Sequence, residues 1–183
     1  STLSKRVLIS SPVEKFGWDR TSGEHYNNFA FAALKDDGSV ITWGSPSGGG
    51  DSSAVQDQLM SGVQQVFTNY YAFAALKDDG SVITWGRDGV GNSSVVQDQL
   101  MSGVQQIFST RSAFAALKDD GSVITWGSSG GGGDSSDVQD QLMSDVQQIF
   151  SSQSAFAALK GDGSVITWGM EEYGGDSSAV KDQ

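Results

Sequence analysis

The chain has 183 residues, a formal net charge of −11 and a pI near 4.2. That acidic balance argues against nucleic acid as a partner, because a phosphate backbone calls for a basic footprint. The absence of cysteine excludes disulfides and thiolate zinc sites, and 24 glycines against 2 prolines suit short strands joined by glycine turns rather than helical bundles. No apolar run approaches the ~18–20 residues of a membrane span, so membrane insertion is not expected. The chain opens at Ser1 rather than Met, as a processed secreted protein or an excised piece would.

The first ten residues, "STLSKRVLIS", predict a short strand over 5–10. An insertion relative to the repeat, "SPVEKFGWDRTSGEHYNN", fills 11–28. From Ala30 the chain reads "AFAALKDDGSVITWG", and this stretch returns with small changes at 72–86, 113–127 and 155–169. Trp43, Trp85, Trp126 and Trp168 mark the period, at spacings of 42, 41 and 42 residues. The chain therefore reads as a single repeat domain over 1–183, with units at about 29–70, 71–111, 112–153 and 154–183. A period in the forties points to a propeller or a related array.

Within each unit a short β-prone segment such as Val104–Ser109 precedes two further ones, Ala113–Lys118 and Ser122–Gly127. Asp-Gly between the last two signals a tight hairpin with positive φ at both turn positions. Period-2 alternation points Val123 and Thr125 one way and Ile124 and Trp126 the other, and in the partner strand it puts Ala113, Ala115 and Leu117 on one side and Phe114 and Ala116 on the other. Neither face is polar, so each sheet has to be covered on both sides. In the connection "DSSAVQDQLMSGV", Ser52 or Ser53 is placed to cap a short helix with Val55, Leu59 and Met60 inward, ended by Gly62.

The chain stops at "DSSAVKDQ", where earlier copies continue with "LMSGVQQIFS", and the N-terminus supplies ten residues for those ten. Leu8 and Ile9 then fall where Ile and Phe stand in the other copies. The fold expected is an all-β, four-repeat, propeller-like closed ring of about 42 residues per blade, with a short helix in each connection.

The pattern "SGVQQIFSTxxAFAALKDDGSVITWG" resembles the repeats of the regulator of chromosome condensation superfamily of β-propellers. Within it, the chain looks closest to the bacterial, secreted branch that includes the propeller-type β-lactamase inhibitor protein. The resemblance covers all but Ser11–Asn28 and implies blades that hold a partner through their edge loops. The Gly-x-x-His common before the second strand in that family is replaced by "TNYY", "STRS" and "SSQS". Family propellers usually have seven blades, so a self-contained four-bladed ring, two chains forming a larger ring, and an excerpt of a longer array all stay open.

The copies differ in two windows. One follows each Trp-Gly ("SPSGGG", "RDGVGN", "SSGGGG", "MEEYGG"), and the other precedes each Ala-Phe. Strand direction in a meander puts both windows at one end of the sheets, opposite the Asp-Gly turns. The candidate ligand-binding residues at that end are Trp18, Arg20, His25 and Tyr26 in the 11–28 segment, then Asn69, Tyr70, Tyr71, Arg87, Asp88, Arg111, Gln153, Glu171, Glu172 and Tyr173. Aromatic and arginine side chains dominate binding hot spots.

"DDGS" and "GGDSS" lack the alternating oxygen spacing of a calcium loop, and turn chemistry accounts for both. His25 is the single histidine and no nucleophile sits at a recognisable elbow, so neither a metal, a cofactor nor a catalytic residue is assigned. The function expected is a non-catalytic binding module engaging a protein or glycan, extracellular or at a cell surface. A self-assembling structural protein is the alternative, and an enzyme of unknown type the third reading.

Overall fold

The computed structural model describes residues 8–9 and 27–178. Its strands form four three-stranded antiparallel sheets that succeed one another along the chain. Sheet I holds β1 (Leu8–Ile9), β2 (Ala30–Leu34) and β3 (Val40–Gly44). Sheet II holds β4 (Val63–Thr68), β5 (Ala72–Lys77) and β6 (Val82–Gly86), and sheet III holds β7 (Val104–Ser109), β8 (Ala113–Lys118) and β9 (Val123–Gly127). Sheet IV holds β10 (Val146–Ser151), β11 (Ala155–Lys160) and β12 (Val165–Gly169).

The N-terminal strand pairs with β2 and so completes sheet I. Its register differs by one residue from the repeat comparison. Ile9 faces Ala33 as Val66 faces Ala75, so Ile9 stands at an Ile/Val position and not at a Phe position. The other first strands carry a register shift near their start, between Val63 and Gln65 in β4, which a gapless comparison does not count.

The Asp-Gly hairpin differs from the two-residue turn expected. Lys77 N–H bonds to Ser81 O across the strand ends and Gly80 N–H to Lys77 O, which leaves a loop of Asp78, Asp79 and Gly80. Of these three only Gly80 has a positive φ, +75°. This is a type I turn followed by a left-handed residue, the usual three-residue hairpin. The second aspartate is the device that holds it, since Asp79 Oδ1 accepts both Ser81 N–H at 2.9 Å and Ser81 Oγ–H at 2.6 Å.

Both faces of the inner sheets are buried, as their apolar alternation requires. On the front face of sheet II, Ala72, Ala74, Leu76 and Val82 pack against Phe114, Ala116, Ile124 and Trp126 on the rear of sheet III. The same arrangement joins I to II and III to IV. On each rear face a Phe and a Trp stand directly opposite across the second and third strands and stack, as Phe114 and Trp126 do at 5.2 Å. The expected closed ring does not follow from these contacts. Among the described residues no sheet closes on itself, and the rear of sheet I and the front of sheet IV expose residues that the inner sheets bury.

The connections are short 3₁₀ turns, Ser53–Leu59, Gln97–Leu100 and Ser136–Leu142. Leu59, Leu100 and Leu142 are fully buried, whereas Met60, placed inward by the sequence reading, is exposed like Met101 and Met143. The Ser52 hydroxyl does not cap the turn, because it is held by Thr42 Oγ1 and Gln56 Oε1.

One difference between copies is a compensated exchange. Gly62 and Gly103 sit at φ +75° and +76° against the carboxyls of Asp78 and Asp119. In sheet IV the glycine and the acid trade places, with Asp145 at φ +63° and Gly161 facing it. A Cβ on Gly161 would lie 2.5 Å from Asp145 Oδ1, so room exists for one acid and not two.

Two predictions follow from the turns. In a double-mutant cycle, Gly161→Asp should destabilise the chain alone and be rescued by Asp145→Gly, with a coupling of about 1 kcal/mol in urea unfolding; additive effects would refute the steric exchange. The hydroxyl and then the amide of the following serine hold the Asp79 and Asp120 carboxyls below their ordinary value of 3.8. A lowered folded-state pKa adds stability above that value, and the gain disappears as pH falls through the folded pKa. Asp79→Asn with Asp120→Asn should therefore flatten the acid limb of Tm against pH below about 4.

Candidate binding face

Both variable windows meet at one end of each sheet, and in sheets I, III and IV one recurring cap ties them together. Asn27, Asn69, Thr110 and Ser152 occupy the same place before the second strand. Asn27 Oδ1 accepts the N–H groups of Phe29 and Ala30, and its Nδ2 donates to Gly48 O in the other window. Thr110 Oγ1 donates to Gly131 O and Ser152 Oγ to Tyr173 O, which repeats the link with a hydroxyl. Main-chain bonds from Tyr70 N–H to Arg111 O, and from Arg111 N–H to Gln153 O, run across three sheets and fix the loops relative to one another.

On this frame the copies place different side chains at equivalent positions, and a cluster results. Phe29 and Tyr71, which align in the repeat, stack at 5.8 Å, and Tyr70 meets both edge-on at 5.9 and 5.2 Å. The Arg87 guanidinium lies over the Tyr71 ring and that of Arg111 over the Tyr70 ring, each at 4.7 Å. The structure thus brings together Tyr70, Tyr71, Arg87 and Arg111 from the predicted set and adds Phe29. Sequence reasoning missed Phe29 although its alignment with Tyr71 was available as a signal. Phe29 is exposed, the tyrosines are half-buried and both arginines are exposed.

The remaining candidates divide. Asp88 is exposed beside Arg87 in the chain, and Gln153, Glu171, Glu172 and Tyr173 are exposed on sheet IV. No ion pair or ring contact among the described residues joins that acidic patch to the tyrosine cluster. Trp18, Arg20, His25 and Tyr26 lie outside the described residues. Asn69 is fully buried and cannot present its side chain; its Oδ1 caps Tyr71 and Ala72.

The loop after β6 is one residue shorter than its counterparts, which explains the 41-residue spacing and has a cost. Elsewhere a left-handed glycine turns its carbonyl toward the next sheet, so that Trp85 Nε1–H bonds to Gly49 O and Trp168 Nε1–H to Gly132 O, each at 3.0 Å. Val90 takes the end of the shorter loop, and neither Trp126 Nε1 nor Asn69 Nδ2 has a hydrogen-bond partner. These are the two buried side-chain polar atoms without one among the described residues, and both fall at this loop. Leaving a buried N–H unpaired costs roughly 1–3 kcal/mol.

Lys77, Lys118 and Lys160 donate to the carbonyls of Gln58, Gln99 and Gln141 near the hairpins, while Arg87 and Arg111 stand at the loop end. The "GGDSS" aspartates are engaged locally. Asp51 Oδ1 accepts Ser53 N–H, and the backbone amide chiefly holds its carboxyl below the usual range. No group of three or more His, Cys, Asp or Glu side chains converges among the described residues, and no described helix is long and apolar enough to cross a membrane.

The sequence matches no protein-family model and no curated protein. Its structure is similar to that of human WBSCR16, with a TM-score of 0.54 and 19% identity over 90% of this chain and 47% of that one. It is likewise similar to Prp20p from Saccharomyces cerevisiae, with a TM-score of 0.53 and 19% identity over 80% of this chain and 43% of that one. A second structure of yeast RCC1 (Prp20) superposes with a TM-score of 0.51 and 19% identity over 79% and 42% of the two chains. The likeness is one of fold, to β-propellers that include RCC1 (Prp20). The chain spans less than half the length of each of these structures.

Asn69→Thr should keep an acceptor for Ala72 N–H, as Thr110 does for Ala113, and remove the stranded amide. Its urea midpoint should rise by the equivalent of about 1 kcal/mol. An unchanged or lower midpoint would show that Nδ2 is not a liability.

Proposed function

We propose that the chain is a non-catalytic scaffold that binds a protein segment through the loop end of its sheets, with Phe29, Tyr70, Tyr71, Arg87 and Arg111 at the centre. The observation that carries this reading is the cation–π cluster itself: three adjoining aromatic rings and two exposed guanidiniums, contributed by three successive sheets. Rigid aromatic side chains offer large contact area with little loss of rotamer freedom, and arginines supply planar hydrogen bonding to carboxylates. The complementary partner is a segment with acidic and apolar side chains. Prp20p, similar in fold, has been described with binding to Gsp1p and histones, which supports a protein ligand for this architecture. A secreted or surface-displayed setting, as the likeness to the inhibitor branch implies, and contacts from Trp18, Arg20, His25, Tyr26, Asp88, Gln153, Glu171, Glu172 and Tyr173 at the rim, complete the proposal.

A random displayed-peptide library selected on the immobilised chain tests it, with a glycan array in parallel. Acidic peptides containing apolar residues should be recovered, and Arg87→Ala with Arg111→Ala should weaken them by roughly 30-fold or more. Lys118→Ala at the hairpin end should leave binding unchanged. Peptides indifferent to the arginine substitutions, or binding confined to glycans, would sink the reading.

A further inference from the structure

The three interfaces inside the chain are one interface repeated, each with a front half and a rear half. The front half is a shallow face of alanines with a leucine and a valine. The rear half is the stacked Phe–Trp pair with its isoleucine. The ends of the array carry the unused halves. On the rear of sheet I, Trp43 is 42% exposed, where Trp85, Trp126 and Trp168 are 5%, 3% and 4% exposed, and Phe31 and Ile41 are exposed beside it. On the front of sheet IV, Val165 is 46% exposed, where Val82 and Val123 are 0% exposed, and Phe150 is exposed as well.

A second feature of the same interface is also left unused. Gly49 and Gly132, at φ +93° and +88°, lie so close to the next sheet that an added Cβ would come 2.7 and 2.8 Å from Phe73 and Phe156. Their carbonyls accept the Trp85 and Trp168 indoles. Gly174 has the same backbone, φ +97°, and the same turn bond, from its N–H to Glu171 O, yet among the described residues nothing lies within 4 Å of where its Cβ would be. Among the described residues this seat for a phenylalanine ring and an indole N–H is built and holds neither.

We propose that a second copy of this chain fills it, the front of sheet IV in each copy covering the rear of sheet I in the other, so that two copies close one ring. The exposed halves match each other and not themselves. Two rear faces set together would oppose two Phe–Trp pairs with no glycine carbonyl for either indole. In the docked arrangement Trp43 Nε1–H donates to Gly174 O of the second copy and Phe31 packs on that glycine, which repeats the seat present at two of the three junctions, Gly49 with Trp85 and Gly132 with Trp168. The chain spans 47% of the WBSCR16 chain and 43% of the Prp20p chain, so two copies supply close to the length of those propellers. A heterologous contact of this kind forms a ring when its rotation closes. This inference is independent of the ligand proposed above, because it uses the sheet faces and not the loops.

Sedimentation equilibrium from micromolar to millimolar chain tests it with charge placed on one face at a time. Trp43→Lys and Val165→Lys change exposed residues; Ile41→Lys and Phe150→Lys repeat each test at a second site, and far-UV circular dichroism checks the fold. The unmodified chain should be a dimer with its Trp emission shifted to the blue on association. Either variant alone should be monomeric, its dissociation constant raised roughly 30-fold or more. Mixed together, the two variants should form a 1:1 dimer through the one intact junction. A monomer at every concentration, growth beyond the dimer, a single variant that still dimerises, or a mixture that stays monomeric would each overturn the proposal.

Discussion

The structure depends on one packing event, the insertion of a stacked Phe–Trp pair from one sheet into the shallow alanine face of the sheet before it. Phe73, Phe114 and Phe156 are almost completely buried, and the matching tryptophans nearly so. Alanine at Ala72, Ala74, Ala113 and Ala115 is what allows this, because a larger side chain there would hold the sheets apart. Truncating one such ring to alanine typically costs about 3–5 kcal/mol, a large share of a domain's net stability. Two of the tryptophans add a polar constraint by donating to a glycine carbonyl in the preceding loop, which ties sheet spacing to loop conformation.

That division of labour lets the loop end vary. The sheets are held by their faces and by the Asp-Ser turns, so a loop position needs only to keep the cap that joins its two windows. Asn27, Thr110 and Ser152 do so by different atoms. Positions one and two residues after the cap are then free to carry Tyr70, Tyr71, Arg111 or Gln153. Rigid presentation follows, because the main-chain bonds linking these loops cross from sheet to sheet. Repetition here serves to hold several unlike side chains at fixed spacing.

Near-identity of the copies also makes their differences informative. The Asp145–Gly161 exchange would look like drift if each residue were read alone, yet the two lie against each other across the hairpin. The shortened loop at Val90 is the opposite case, a change without compensation that leaves Trp126 Nε1 and Asn69 Nδ2 unpaired. It stands next to Arg87, whose carbonyl accepts the Val90 N–H.

Period and alternation by themselves determined the four-sheet architecture, the two-sided burial and the common end of the variable windows, because strand side-chain direction is a local property of period two. The same reasoning placed Tyr70, Tyr71, Arg87 and Arg111 at the loop end. It could not tell that these four converge with Phe29 while Glu171 and Glu172 do not, since that depends on which loops face each other across sheets. Nor could it tell that Asn69 points inward as a cap, a matter of which N–H groups need an acceptor. It predicted closure from the ends of the repeat. Closure, however, depends on how neighbouring sheets are set against one another, and Trp43 and Val165 stand on open faces. No single unit encodes that setting; it emerges only when the rings and alanines of neighbouring sheets are fitted together.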